Sequence, residues 1–166
     1  MERERKLLES VVSPPIAIYA MALGAKTGEA TFFVTSRADS SSLLQPGVGQ
    51  QAAYHVTLAS SAPVPVAKLV DVLNVSIQQR PILMKIDVQG GELGVLKGAG
   101  EDLRFLDAVY CEVSFVSLYE GQPLAHEIIS YLTGFGFDLR GVFNSSHTKV
   151  FGPTQADFLF TRGIVR

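Results

Sequence analysis

Cysteine is nearly absent. Cys111 stands alone in 166 residues, so no internal disulfide can form, and the chain suits a reducing compartment. Its neighbours Val109, Tyr110 and Val113 indicate a buried strand thiol rather than a reactive one. A strong charge of either sign is also missing. The net charge is −2 with no cluster of Lys and Arg, which removes the electrostatic basis for a nucleic-acid partner. The basic residues near the start, Arg3, Arg5 and Lys6, alternate with Glu2, Glu4 and Glu9 and read as a solvated helix end. No apolar run approaches the length that spans a bilayer, and the start is too charged for a secretory signal. The three histidines and the cysteine lack the spacing of metal ligands, so no zinc site is expected. The G-x-S-x-G signature of a serine nucleophile is absent. These absences lead to an expectation of a cytoplasmic protein with no membrane, metal or nucleic-acid partner.

What is present is globular. The chain is 47% hydrophobic and 18% charged, and its length suits a single domain over residues 1–166. Residues 1–80 read as an irregular strand and loop region. Residues 1–10 resemble a short helix stopped by Pro14-Pro15. Ile16–Leu23 reads as a strand, Gly24–Gly28 as a turn, and Ala30–Thr35 as the returning strand of a hairpin. Residues 36–53, rich in Ser, Gly and Gln, read as a polar loop. Tyr54–Leu58 and Val64–Val66 are short strand candidates, and Val66–Leu73 has helical spacing.

Residues 81–166 are more regular. Ile82–Val88 reads as a strand apolar on both faces, the pattern of a parallel sheet covered on both sides. Gly91–Lys97 reads as a helix ended by Gly98 and Gly100, Ala108–Phe115 as a strand, and Leu124–Phe135 as a helix. Phe137–Phe143 follows as a strand, Asn144–Pro153 as a loop, and Ala156–Thr161 as a last strand antiparallel to the one before. This order describes an α/β fold with a parallel sheet ending in an antiparallel hairpin.

The segment Ile82–Glu92 (ILMKIDVQGGE) concentrates the chemistry. Asp87 lies where open α/β sheets bind ligands, at the carboxyl end of a strand, and Gly90-Gly91 permits a tight turn before the helix. Glu112 is expected near the end of the neighbouring strand. Two such carboxylates can flank a cofactor, take a proton from a hydroxyl, or hold a divalent cation with water and substrate oxygens. The plainer alternatives are that Asp87 caps the turn and Glu112 pairs with Lys85 or an arginine. Gln89 and Gly90 shape the turn, and Gln89 can reach a ligand.

Four segments resemble the C-terminal half of FkbM-family methyltransferases. They are KIDVQGGELGVLKGAG (Lys85–Gly100), EVSFVSLYEGQP (Glu112–Pro123), GFDL (Gly136–Leu139) and QADFLF (Gln155–Phe160). ALGAKTGEATFF (Ala22–Phe33) and SSSLL (Ser40–Leu44) resemble the family's middle segment. The resemblance implies a partial class I methyltransferase (Rossmann-like) sheet. It also implies S-adenosylmethionine as cofactor and O-methylation of a hydroxyl on a sugar or other small molecule. It implies cofactor contacts at Asp87, Gln89 and Gly90, catalysis at Asp87 and Glu112, and substrate contacts at Tyr119 and Glu120.

Family members begin with a glycine-rich cofactor loop and a ribose-binding acid, and neither is visible here. Gly24-x-x-x-Gly28 leads into a strand, and Gly47-Val48-Gly49 lacks a third glycine. The chain is therefore expected to start after the cofactor-binding half and to leave the Ile82–Val88 strand with an open edge. That edge would favour a homodimer, a rearranged edge or a partner chain completing the sheet. The alternative function is a catalytically inactive remnant serving as a binding or assembly module.

Overall fold

The computed structural model describes residues 16–163; the helix expected over residues 1–10 lies outside them. Among the described residues there are seven strands: β1 (Ala22–Leu23), β2 (Gly28–Thr35), β3 (Leu58–Ala67), β4 (Leu83–Ile86), β5 (Ala108–Ser114), β6 (Phe137–Thr148) and β7 (Gly152–Arg162). The α-helices are α1 (Val48–Tyr54), the single turn α2 (Leu69–Val72), α3 (Glu92–Ala99) and α4 (Ala125–Gly134). The strands form two sheets, ordered β1-β3-β2 and β4-β5-β7-β6.

The larger sheet is mixed. β4 and β5 are parallel, while β7 runs antiparallel to both β5 and β6. β4, β5 and β6 therefore point one way, and the reversed β7 is inserted between β5 and β6. The expected C-terminal hairpin exists, but its second strand lies inside the sheet rather than at its edge. Burial explains the insertion. Ala156, Phe158 and Phe160 of β7 are buried, and they pair with Val113, Cys111 and Val109 of β5. That apolar stripe packs with Leu96 of α3 and with Ile128 and Leu132 of α4 in one core. β6 has an exposed, polar pattern over most of its twelve residues, which suits the edge.

β4 corrects the expectation of a strand buried on both faces. Ile86 is buried, yet Leu83 is 62% exposed. In the larger sheet α3 and α4 cover the Val109–Cys111–Val113 face. The opposite face carries Lys85, Tyr110, Glu112 and Asp157, all half-buried or exposed. The apolar run at Ile82–Met84 reflected one covered face and an exposed strand start.

The N-terminal region is more ordered than its sequence suggested. β1 and β2 do not form a hairpin: β3 separates them, parallel to β1 and antiparallel to β2. Pro63 and Pro65 obscured β3, because proline within a run argues against a central strand. β1 reaches only Val66 and Ala67, so most of β3 behaves as an edge, where proline is tolerated. Within the expected loop 36–53 lie a 3₁₀ turn at Ala38–Ser40 and helix α1. The expected Tyr54–Leu58 strand is instead the end of α1, closed by His55 at φ 59°. The expected loop Asn144–Pro153 is mostly strand, with β6 reaching Thr148 and β7 starting at Gly152.

Candidate active site

The β4–α3 connection builds the centre of the site. Asp87 follows the last residue of β4, and Gln89 turns the chain with φ 55°, a left-handed conformation that non-glycine residues seldom adopt. Gly90 follows with φ 97°; an added Cβ there would lie 3.2 Å from Tyr119 Cδ2 and Gln122 Nε2. Glu92 opens α3, and its buried Oε1 accepts the Gly90 N–H at 2.9 Å. Burial raises the Glu92 pKa, opposed by its backbone hydrogen bonds.

The left-handed turn sends the Gln89 side chain back between the two carboxylates. Its Nε2 donates to Asp87 Oδ1 at 2.9 Å and to Glu112 Oε2 at 3.0 Å. Gln155 Nε2, from β7, donates to the same Glu112 oxygen at 2.9 Å. Lys85 pairs with Asp87 at 2.8 Å, and its pKa is raised chiefly by that bond. Glu112 is thus held by two neutral amides, not by Lys85 or an arginine. Burial and then the neighbouring carboxylates Asp87, Glu92 and Asp157 push its pKa from 4.5 up to about 7, against the lowering effect of the Gln89 bond.

Gln89, Asp87 and Glu112 line a cavity of about 310 Å³, at the small end of the range for ligand pockets. Arg37, Asp39, Ser40, Gln50, Tyr54, Ser146 and Gln155 complete its wall, so the lining is polar apart from the ring of Tyr54. Segment 37–54 is one side of the cavity, and three contacts clip it to the rest of the site. Ser42 Oγ donates to Gln89 O at 2.7 Å, Tyr119 Oη donates to Ser40 O at 2.8 Å, and Gly47 N–H donates to Leu118 O at 2.9 Å. Gly47 and Gly49, dismissed as a cofactor loop, have a packing role. A Cβ on Gly49 would lie 2.1 Å from Ser117 O, so only glycine lets α1 approach the 117–118 backbone and bring Gln50 to the cavity.

The remaining site candidates fall elsewhere. Tyr119 is fully buried and stands behind the wall. Its hydroxyl accepts from Gln50 Nε2 at 2.7 Å and faces Gln89 Oε1 at 3.1 Å, and burial raises its pKa. Glu120 is exposed and accepts from Gln45 Nε2 at 3.2 Å, away from the cavity wall. Gly90 is buried beneath the turn and not in the wall. Sequence reasoning missed Gln50, Gln155 and the 37–54 wall. The one available signal was the run Gly47-Val-Gly-Gln-Gln, which looked like loop because it lacks apolar periodicity.

The fold class and the site together define an α/β protein with an acid-lined, polar cavity beside the carboxyl end of β4, the usual place for small-molecule chemistry in such sheets. The family profile described as the methyltransferase FkbM domain matches residues 3–139. The chain therefore belongs to the FkbM methyltransferase family. No curated protein and no solved structure matches it. Among the described residues, no helix is long and apolar enough to cross a membrane.

Proposed function

We propose that this chain carries the acceptor side of an S-adenosylmethionine-dependent O-methyltransferase acting on a small hydroxyl compound such as a sugar, in a reducing, cytoplasmic setting. One observation carries the reading: Glu112, with its pKa near 7, sits in the cavity wall beside Asp87 and is oriented by two amides through a single oxygen. A carboxyl group titrating near the operating pH is well suited to general base work.

S-adenosylmethionine would supply a methyl group on a positively charged sulfur. Asp87 and Glu112 suit that charge. The adenosyl part lacks the usual glycine-rich loop, because among the described residues the glycine pair 24/28 joins two strands. The described residues therefore fit the acceptor end of the reaction and not the whole donor. A homodimer or partner chain pairing along the open edge of β4 is the proposed source of the rest.

The residues' own chemistry is simple. Gln89 and Gln155 hold Glu112 Oε2, leaving Oε1 with no donor among the described residues. Glu112 Oε1 takes the proton of the acceptor hydroxyl as that oxygen becomes the nucleophile. Asp87 is paired with Lys85 at 2.8 Å, and Tyr119 holds Gln50 and Gln89 in place. Positioning supplies most of the remaining barrier reduction, since methyl transfer needs an in-line approach. The test is calorimetric titration with S-adenosylhomocysteine, followed by a methyl-transfer assay across pH. Saturable binding and a rate rising through pH about 7 support the enzyme. Absence of binding at millimolar ligand leaves the inactive binding module as the correct reading of the isolated chain.

A further inference from the structure

Gln50 carries a problem the proposed reaction does not use. The residue is 2% exposed, it belongs to the cavity wall, and its Oε1 is buried with no hydrogen-bond partner among the described residues. Buried acceptors of this kind are costly and few in folded proteins, so each one calls for an explanation.

The amide cannot simply be turned over. Tyr119 Oη has one proton, and its other neighbours, Ser40 O at 2.8 Å and Gln89 Oε1 at 3.1 Å, are both acceptors. Gln89 Oε1 is fixed as the acceptor because Gln89 Nε2 is committed to the two carboxylates. Tyr119 must therefore donate away from Gln50 and accept from it, which puts Gln50 Nε2 against the hydroxyl at 2.7 Å. The carboxylates thus dictate, through Gln89 and Tyr119, which way Gln50 faces.

We infer that Gln50 is a specificity-determining residue, whose Oε1 takes a hydrogen bond from a hydroxyl of a polyhydroxyl ligand without negative charge, seated in the cavity. The rest of the wall agrees. Asp87 and Glu112 also offer acceptors. The cations beside the cavity are already paired, Arg37 with Asp39 at 3.0 Å and Lys85 with Asp87 at 2.8 Å, so the described wall offers an anionic ligand no unpaired positive charge. The inference deepens the proposed acceptor site and rests on that reading for the ligand's chemical class.

The experiment follows the Gln50 side-chain amide by ¹H–¹⁵N NMR, assigned through Gln50→Met. Three probes of one ring size and different charge are titrated: D-glucose, D-glucosamine and D-glucuronate. The expected result is a saturable shift with glucose and with glucosamine, whose ammonium suits the carboxylates, and none with glucuronate. Gln50→Met should weaken glucose binding at least about tenfold, the worth of one well-placed hydrogen bond. Gln50→Glu, which keeps an oxygen at the site, should restore binding below pH 5, where the new carboxyl is protonated.

Equal glucose affinity in Gln50→Met overturns the inference. So does a wild-type chain that binds none of the probes, or a high-resolution crystal structure with a bound sugar in which Oε1 is bonded only to an ordered water. The parent reading fails separately. Glucose binding without S-adenosylhomocysteine binding removes the enzyme and leaves the Gln50 site, whereas cofactor binding with a Gln50-independent acceptor removes only the Gln50 site.

Discussion

Glu112 and Gln89 set the chemistry at the smallest scale, and their effects have opposite signs. Burial raises the Glu112 pKa from 4.5 to about 7, so its protonated form favours folding. That contribution is fully present below pH 4.5 and is lost as pH rises through about 7. Glu112→Gln should remove the loss and make the protein relatively more stable at pH 8 by about 2 kcal/mol. Paired urea titrations at pH 4.5 and pH 8 measure this. The same variant should lower methyl transfer by about 10²-fold or more, the usual worth of a positioned base. Gln89 acts on the same carboxyl by lowering its pKa. Gln89→Gly removes that bond and relieves the left-handed backbone at φ 55°, worth about 1 kcal/mol. Carboxyl ¹³C NMR of this variant should place the Glu112 titration above its wild-type midpoint. A lower midpoint would mean that Gln89 does not stabilise the carboxylate.

At the scale of elements, two contacts decide how the site is assembled. α1 approaches the 117–118 segment so closely that a Cβ on Gly49 would sit 2.1 Å from Ser117 O. Gly49→Ala must push α1 away, at a cost of about 1–3 kcal/mol for an overpacked contact. It should also move Gln50 off Tyr119, which a changed Gln50 side-chain amide resonance would report. At the end of β7, Arg162 gathers three carbonyls, donating to Leu106 O at 3.0 Å and to Phe135 O and Leu103 O at 2.8 Å each. Its guanidinium also lies 4.5 Å from the centre of the Phe137 ring. Arg162→Met leaves those carbonyls without a charged donor and should cost about 3 kcal/mol, read as a lower urea midpoint. Gly49 and Arg162 gave no sequence signal of these roles, because each acts on backbone remote in the chain.

The whole molecule is asymmetric. α3 and α4 cover one face of the large sheet, segment 37–54 walls the cavity over Glu112 on the other, and among the described residues β4 pairs with β5 alone. An open strand edge invites pairing with another chain. With the proposed homodimer, light scattering should give twice the 17.9 kDa chain mass. Leu83→Lys, placing a charge on an exposed β4 residue, should shift the molecule toward a single chain, and an unchanged mass would place the contact elsewhere.

The sequence by itself determined the α/β character, the family, the Asp87 turn and the order of elements after residue 81. Each of these is written locally, in apolar periodicity, in a run of glycines after a strand, and in contiguous family segments. Tertiary structure decided the rest. It inserted β7 inside the sheet because the Ala156–Phe160 stripe has its apolar partners on β5. It paired β3 between β1 and β2 although proline interrupts it. It brought Gln89 and Gln155 to the carboxylates and joined Gln50 to Gln89 through Tyr119, across separations such as 69 residues between Gln50 and Tyr119. Neutral amides carry no spacing rule of their own, and one becomes part of a site only when folding leaves it a single orientation.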